Sequence, residues 1–227
     1  MYALVYLACA LAQAVLAVLA VRLFVRRPSV SAFMLILPIA AVVWDNTVIA
    51  LGAGIGDGPL LQALSWPRFI GHALFTPAWI VAAVGFAQRA GRGQPGVQGL
   101  DTKVLNAGQW VVYAACVVLG LLRSVVFLVM KPVEEAGLFY YGNAGSFPGP
   151  PFGSITMLFV VLVFAVLVWR RIKSPWMFVG ALVMLFAFAV PQAVPLEGMG
   201  HVLENAGEVA MAASLVYTER LLQKRGA

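Results

Sequence analysis

Four polar residues recur along one short stretch, "GHVLENAGEV" (200–209): His201, Glu204, Asn205 and Glu208. Their i, i+3, i+4, i+7 spacing places them on one face of a helix. Two carboxyl groups and an imidazole on one face can exchange protons, bind a metal or hold a cation. Further chemistry-bearing groups stand in otherwise apolar surroundings. They are Asp45 in "AVVWDNTVIA", Arg68 and His72 one turn apart, and Arg123 beside Ser124. Such groups in lipid cost a few kcal/mol or more and mark sites by default.

The surroundings define the class. Of 227 residues, 62% are hydrophobic and 11% charged, against roughly 25% charged in soluble domains. The expected fold is all-α, a polytopic membrane protein built as a seven-transmembrane-helix bundle. Windows of about 20 apolar residues fall at roughly 2–24, 31–54, 67–88, 104–129, 153–170, 175–194 and 199–220. With no repeat and no soluble insert, residues 1–227 read as a single integral-membrane domain. The first window lacks a basic n-region and is too long for a signal h-region, so it reads as a retained span.

The net charge of +6 does not point to nucleic acid. Arg22 and the connections "RRPS", "QRAGRGQPGVQGLDTK", "RRIKSP" and "RLLQKRGA" hold twelve of the fifteen basic residues. The positive-inside rule then sets the N-terminus out and the C-terminus in, most naturally in the cell (inner) membrane. Pro77 and Pro191 are expected to kink their helices. The loop "KPVEEAGLFYYGNAGSFPGPPFG" suits an interfacial aromatic segment or a lid over a cavity. Cys9 and Cys116 read as small buried hydrophobes.

At about 1.5 Å per residue, Asp45 lies roughly 20 Å into the second span, in the outer half of a core about 30 Å thick. Arg68, His72 and Arg123 fall at the same level, as does the 201–208 face. A polar pocket in the outer half follows, with Asp45, Glu204 and Glu208 as candidate acids or bases. Trp44, Asn46, Arg68, His72, Arg123, His201 and Asn205 are candidate substrate-binding groups. Asp45 beside Trp44 has the apolar setting of a proton donor. If a metal is bound, His72, His201, Asp45 and Glu204 are its ligands, although no HExxH, HxxxH or ExxH spacing is present. No cofactor is expected, and no GxSxG, P-loop or GxGxxG occurs. The last span holds no lysine for a Schiff base.

The Trp44–Asp45 pair in the second span and the acids of the last span resemble those of small integral-membrane terpene cyclases. These belong to fungal meroterpenoid pathways and their bacterial relatives. In that family the second-span dipeptide is Trp-Glu, and the last-span acid is Asp. The resemblance implies seven spans, a hydrophobic or lipid substrate, and acid-initiated cyclisation of an isoprenoid. Asp45 would be the first acid, with Glu204 or Glu208 the second. Two alternatives stay open: a metal-dependent membrane lipid hydrolase, and a non-enzymatic transporter or receptor-like protein using the same pocket.

Overall fold

A computed structural model describes residues 2–91, 102–147, 150–194 and 200–226. Helices α1 (Tyr2–Arg26) and α2 (Val30–Ile55) form an antiparallel pair, joined by a tight connection in which Ser29 caps α2 by accepting from the Ala32 amide at 3.1 Å. Next come α3 (Pro59–Phe75) and α4 (Ala78–Ala90), separated at Thr76–Pro77. The expected Pro77 break is therefore present, and Pro191 falls in the last turn of α7 (Trp176–Ala193). The third apolar segment begins at Pro59, earlier than hydropathy indicates. Arg68 and His72 thus sit well inside α3 and not at its entrance.

Over residues 78–87 helix α4 is apolar on all sides, and Trp79, Ile80, Ala82, Ala83 and Phe86 are fully buried. A helix of that kind belongs at the centre of a bundle. It packs against α2, α5 (Thr102–Leu121), α6 (Phe152–Ile172) and α8 (Gly200–Lys224). A π-turn, Leu122–Val126, continues α5. Among the described residues, five helical segments are long and apolar enough to cross a membrane: Tyr2–Arg26, Val30–Ile55, Pro59–Ala90, Lys103–Val126 and Phe152–Ile172. Helices α7 and α8 pack closely through small residues, as helices in lipid do. A Cβ on Gly180 would come within 2.2 Å of the Ser214 hydroxyl, and one on Gly207 within 2.5 Å of Ala187.

One element departs from an all-α fold. Strands β1 (Met130–Glu135) and β2 (Leu138–Asn143) form an antiparallel hairpin where the sequence suggests an irregular loop. Ala136 and Gly137 turn the chain, both at positive φ (52° and 79°), the two-residue geometry that matches strand twist. The hairpin lies on α2 so closely that a Cβ on Gly52 would meet the Phe139 carbonyl oxygen at 1.9 Å. Leu138 and Tyr140 pack with Tyr6 and Ile49, while Tyr141 packs with Val48 and Leu61. The segment covers a cavity, as one of the two sequence readings expects.

Candidate functional site

Beneath the hairpin is a cavity of about 510 Å³, walled by α1, α2, α3, the hairpin and the first half of α8. Its size falls within the range, roughly 300–1,000 Å³, of small-molecule sites. Helix α2 contributes Asp45 and Ile49, α3 contributes Arg68, Phe69 and His72, and α8 contributes its polar face.

The most closely bonded cluster of the cavity is Asp45–Arg68–His72. Arg68 Nε donates to Asp45 Oδ1 at 2.7 Å, and both residues are only 7% exposed. His72 Nε2 lies 3.6 Å from the other carboxylate oxygen, too far for a hydrogen bond but close enough for attraction to its charge. A second Arg68 nitrogen donates to the Tyr141 carbonyl at 3.0 Å, tying α3 to the hairpin. The guanidinium carbon also stands 5.6 Å from the Phe69 ring centre and 5.9 Å from that of Tyr140, within cation–π range. Two helices and a strand therefore fix one cation, which in turn fixes one carboxylate.

The α8 face is arranged differently. His201 Nδ1 is 3.5 Å from Glu204 Oε2, and the imidazole meets the Tyr140 ring edge-on at 6.5 Å between centres. Asn205 spends its amide nitrogen on the His201 carbonyl one turn back, at 2.8 Å. Glu208 lines the cavity without a hydrogen bond or salt bridge among the described residues, and His72 across the same space attracts it through charge alone. In all, four carboxyl groups (Asp45, Glu135, Glu204 and Glu208) face one guanidinium and two imidazoles.

Of the sequence-derived site residues, Asp45, Arg68, His72, His201, Glu204, Asn205 and Glu208 share this cavity. Three others lie outside its lining. Trp44 is 42% exposed on the outside of the bundle, and its indole donates to the Leu64 carbonyl at 3.1 Å. Successive residues on a helix point about 100° apart, and here Asp45 takes the cavity side while Trp44 takes the outer one. Asn46 is fully buried, with its amide nitrogen on the Val42 carbonyl at 3.1 Å. Arg123, in the π-turn, borders a separate recess of about 80 Å³ that shares His72 with the main site, and its carbonyl accepts from Asn143 of the cavity wall at 3.1 Å.

The metal quartet also needs correction. His72 pairs with Asp45 and His201 with Glu204. Among the described residues no three His, Cys, Asp or Glu side chains converge as a ligand set.

Of the aromatic part of the wall, Tyr140 and Tyr141 belong to the loop that the sequence marks as aromatic, whereas Tyr6 and Phe69 have no such signal. Tyr140 and Tyr141 come from the hairpin and Tyr6 from a helix with no other polar signal nearby. Burial pushes the Tyr140 phenol above its ordinary value, and the Asp57 carboxylate accepting from the Tyr141 hydroxyl does the same there. Both rings remain neutral, so Tyr140 keeps a proton to donate.

A second ion cluster sits at the far end of the bundle. Arg89 of α4 makes a paired contact with Glu219 of α8, and Gln223 donates to the same carboxylate at 2.8 Å. Gln223 also reaches the Leu23 carbonyl of α1 at 2.8 Å. Hydropathy counts Arg89 among loop cations, yet it belongs to α4 and is 8% exposed, with Glu219 at 0%.

Neither a known protein family nor any curated protein matches this sequence.

Proposed function

We propose that the chain is a seven-span enzyme of the cell (inner) membrane, N-terminus out and C-terminus in, that acts on an isoprenoid or related lipid by proton-initiated cyclisation. Hydropathy and the distribution of basic residues support the topology. The observation that carries the chemistry is Glu208, a carboxyl group on the cavity wall that makes no hydrogen bond or salt bridge among the described residues. A carboxyl group in that setting can hold a proton and release it to a substrate. Asp45, the donor that the resemblance to terpene cyclases suggests, accepts from Arg68 at 2.7 Å and does so as an anion. Its role becomes that of base and electrostatic partner.

In this scheme Glu208 protonates an alkene carbon or epoxide oxygen of the chain, leaving a carbocation. The π electrons of a neighbouring alkene close the ring. A carboxylate, Asp45 or Glu204, then removes a proton from the carbon beside the final cation. The product is an isomer of the substrate, and proton return to Glu208 completes the cycle. The Tyr6, Phe69 and Tyr140 rings and the Asp45 and Glu204 carboxylates favour a cation in transit.

The test is turnover of polyprenyl alkenes and epoxides by the purified protein in D2O. A cyclic isomer carrying one carbon-bound solvent deuteron is expected from an alkene. Glu208→Gln should lower the rate on the order of 10²–10⁴-fold with an unchanged unfolding temperature. No product from any polyprenyl substrate, or a wild-type rate in Glu208→Gln, would overturn the proposal.

The four carboxyl groups among aromatic rings also favour a second reading, a non-enzymatic pocket for an organic cation. Saturable binding of a quaternary ammonium without turnover would select it.

A further inference from the structure

The end of the bundle opposite the hairpin carries a groove between α1 and α8 of about 320 Å³. Arg22 and Arg26, one helical turn apart on α1, face it from one side, and Arg220 of α8 from the other. Among the described residues its lining contains no carboxyl group. The adjacent acid in sequence, Glu219, is turned inward and taken up by Arg89. Among the described residues none of the three arginines forms an ion pair. Three guanidinium groups held around one space repel each other, and an anion between them relieves that repulsion.

The rest of the groove is apolar. Leu16, Leu19 and Val216 line it toward the middle of the bundle. On the other side of α8 a second, apolar groove of about 460 Å³ runs between α7 and α8, past Trp176 and Val183. Ala213 and Tyr217 border both grooves, and the Tyr217 ring, 43% exposed, stands between them.

We propose that this surface binds one anionic phospholipid from the leaflet at the basic end. Its phosphodiester sits among Arg22, Arg26 and Arg220, and its two acyl chains straddle Tyr217, one in each groove. Guanidinium forks match phosphate oxygens in pairs, and basic pockets between helices at the positive side of a membrane suit such headgroups. A free phosphate ion would satisfy the arginines but leave both apolar grooves unused. The site is some distance along α1 and α8 from the hairpin cavity and does not depend on the chemistry proposed there.

The experiment is native mass spectrometry of the detergent-purified chain titrated with phosphatidylglycerol, phosphatidylcholine or inorganic phosphate. Phosphatidylglycerol should be retained at least about tenfold more tightly than phosphatidylcholine, a preference lost in Arg22→Gln/Arg26→Gln/Arg220→Gln. A matched control, Arg27→Gln/Arg170→Gln/Lys173→Gln, removes equal charge from the same end outside the groove and should keep the preference. Ala213→Trp should weaken both lipids by filling the junction of the two grooves without altering charge. It decides the matter if the triple arginine variant does not fold. Equal retention of both lipids by the wild type would overturn the proposal. So would loss of the preference in the control, an Ala213→Trp variant that binds lipid as the wild type does, or displacement of lipid by equimolar inorganic phosphate.

Discussion

The molecule buries an Arg–carboxylate pair at each end, and the two differ in what surrounds them. Arg89–Glu219 is sealed, with Glu219 wholly buried, Gln223 on the same carboxylate and Phe86 against the guanidinium at 5.4 Å. Arg68–Asp45 is joined by one hydrogen bond and borders a cavity that also holds Glu204, Glu208 and both histidines. A sealed pair can only hold helices together, here α4 to α8 and, through Gln223, to α1. A pair on a cavity wall also presents charge to whatever enters. Identical side-chain chemistry thus serves architecture at one end and a site at the other, and solvent or ligand access makes the difference.

That contrast can be broken from either end. The largest effect expected is on catalysis. Glu208→Gln should abolish most turnover without loss of stability, whereas Glu219→Gln should lower the unfolding temperature and leave the residual folded protein active. Comparing turnover per folded molecule separates the two. If Glu219→Gln were the catalytic lesion, the division between the ends would be wrong.

Next in size is the sealed pair itself. Arg89→Ala leaves Glu219 as an uncompensated buried charge and should cost about 3–5 kcal/mol. Arg89→Met/Glu219→Leu should recover most of that, because replacing both partners removes the desolvation burden together with the attraction. Reversible unfolding in mixed micelles measures both, and a double variant no better than the single would refute a purely structural pair.

A smaller effect probes the roof of the open site. Gly52→Ala sets a methyl group against the Phe139 carbonyl. It should lift the hairpin at a cost of about 1–3 kcal/mol. Hydrogen exchange should rise across 130–143 and stay unchanged around Arg89. The smallest change expected is Tyr141→Phe, which removes the hydrogen bond to Asp57. It should cost about 1 kcal/mol, seen as a slight increase in the same hairpin exchange.

Much of the site was legible before folding was considered. The 201–208 face needed only helical periodicity, because residues three, four and seven apart share a side whatever the helix packs against. Arg68 and His72 declared themselves in the same way, and Asp45 by its apolar context. Trp44 and Asn46 were drawn in by adjacency to Asp45, which in a helix is a reason to point elsewhere. Arg123 was placed by depth alone, and depth does not fix the angle about the helix axis. The hairpin escaped notice because its strands are six residues each, Pro132 argues against a strand, and Ala-Gly is not the usual turn pair.

The sequence by itself determined the apolar segments, the bias of positive charge and which polar residues share a helix face. These depend on composition and on periods of a few residues. Only the tertiary structure decided that Asp45 meets Arg68 across 23 residues and Arg89 meets Glu219 across 130. It also decided that a hairpin roofs one cluster while packing closes the other. Local backbone geometry repeats along the chain and can be read from spacing. Pairing between distant segments depends on how whole helices pack, and helix periodicity carries no record of that.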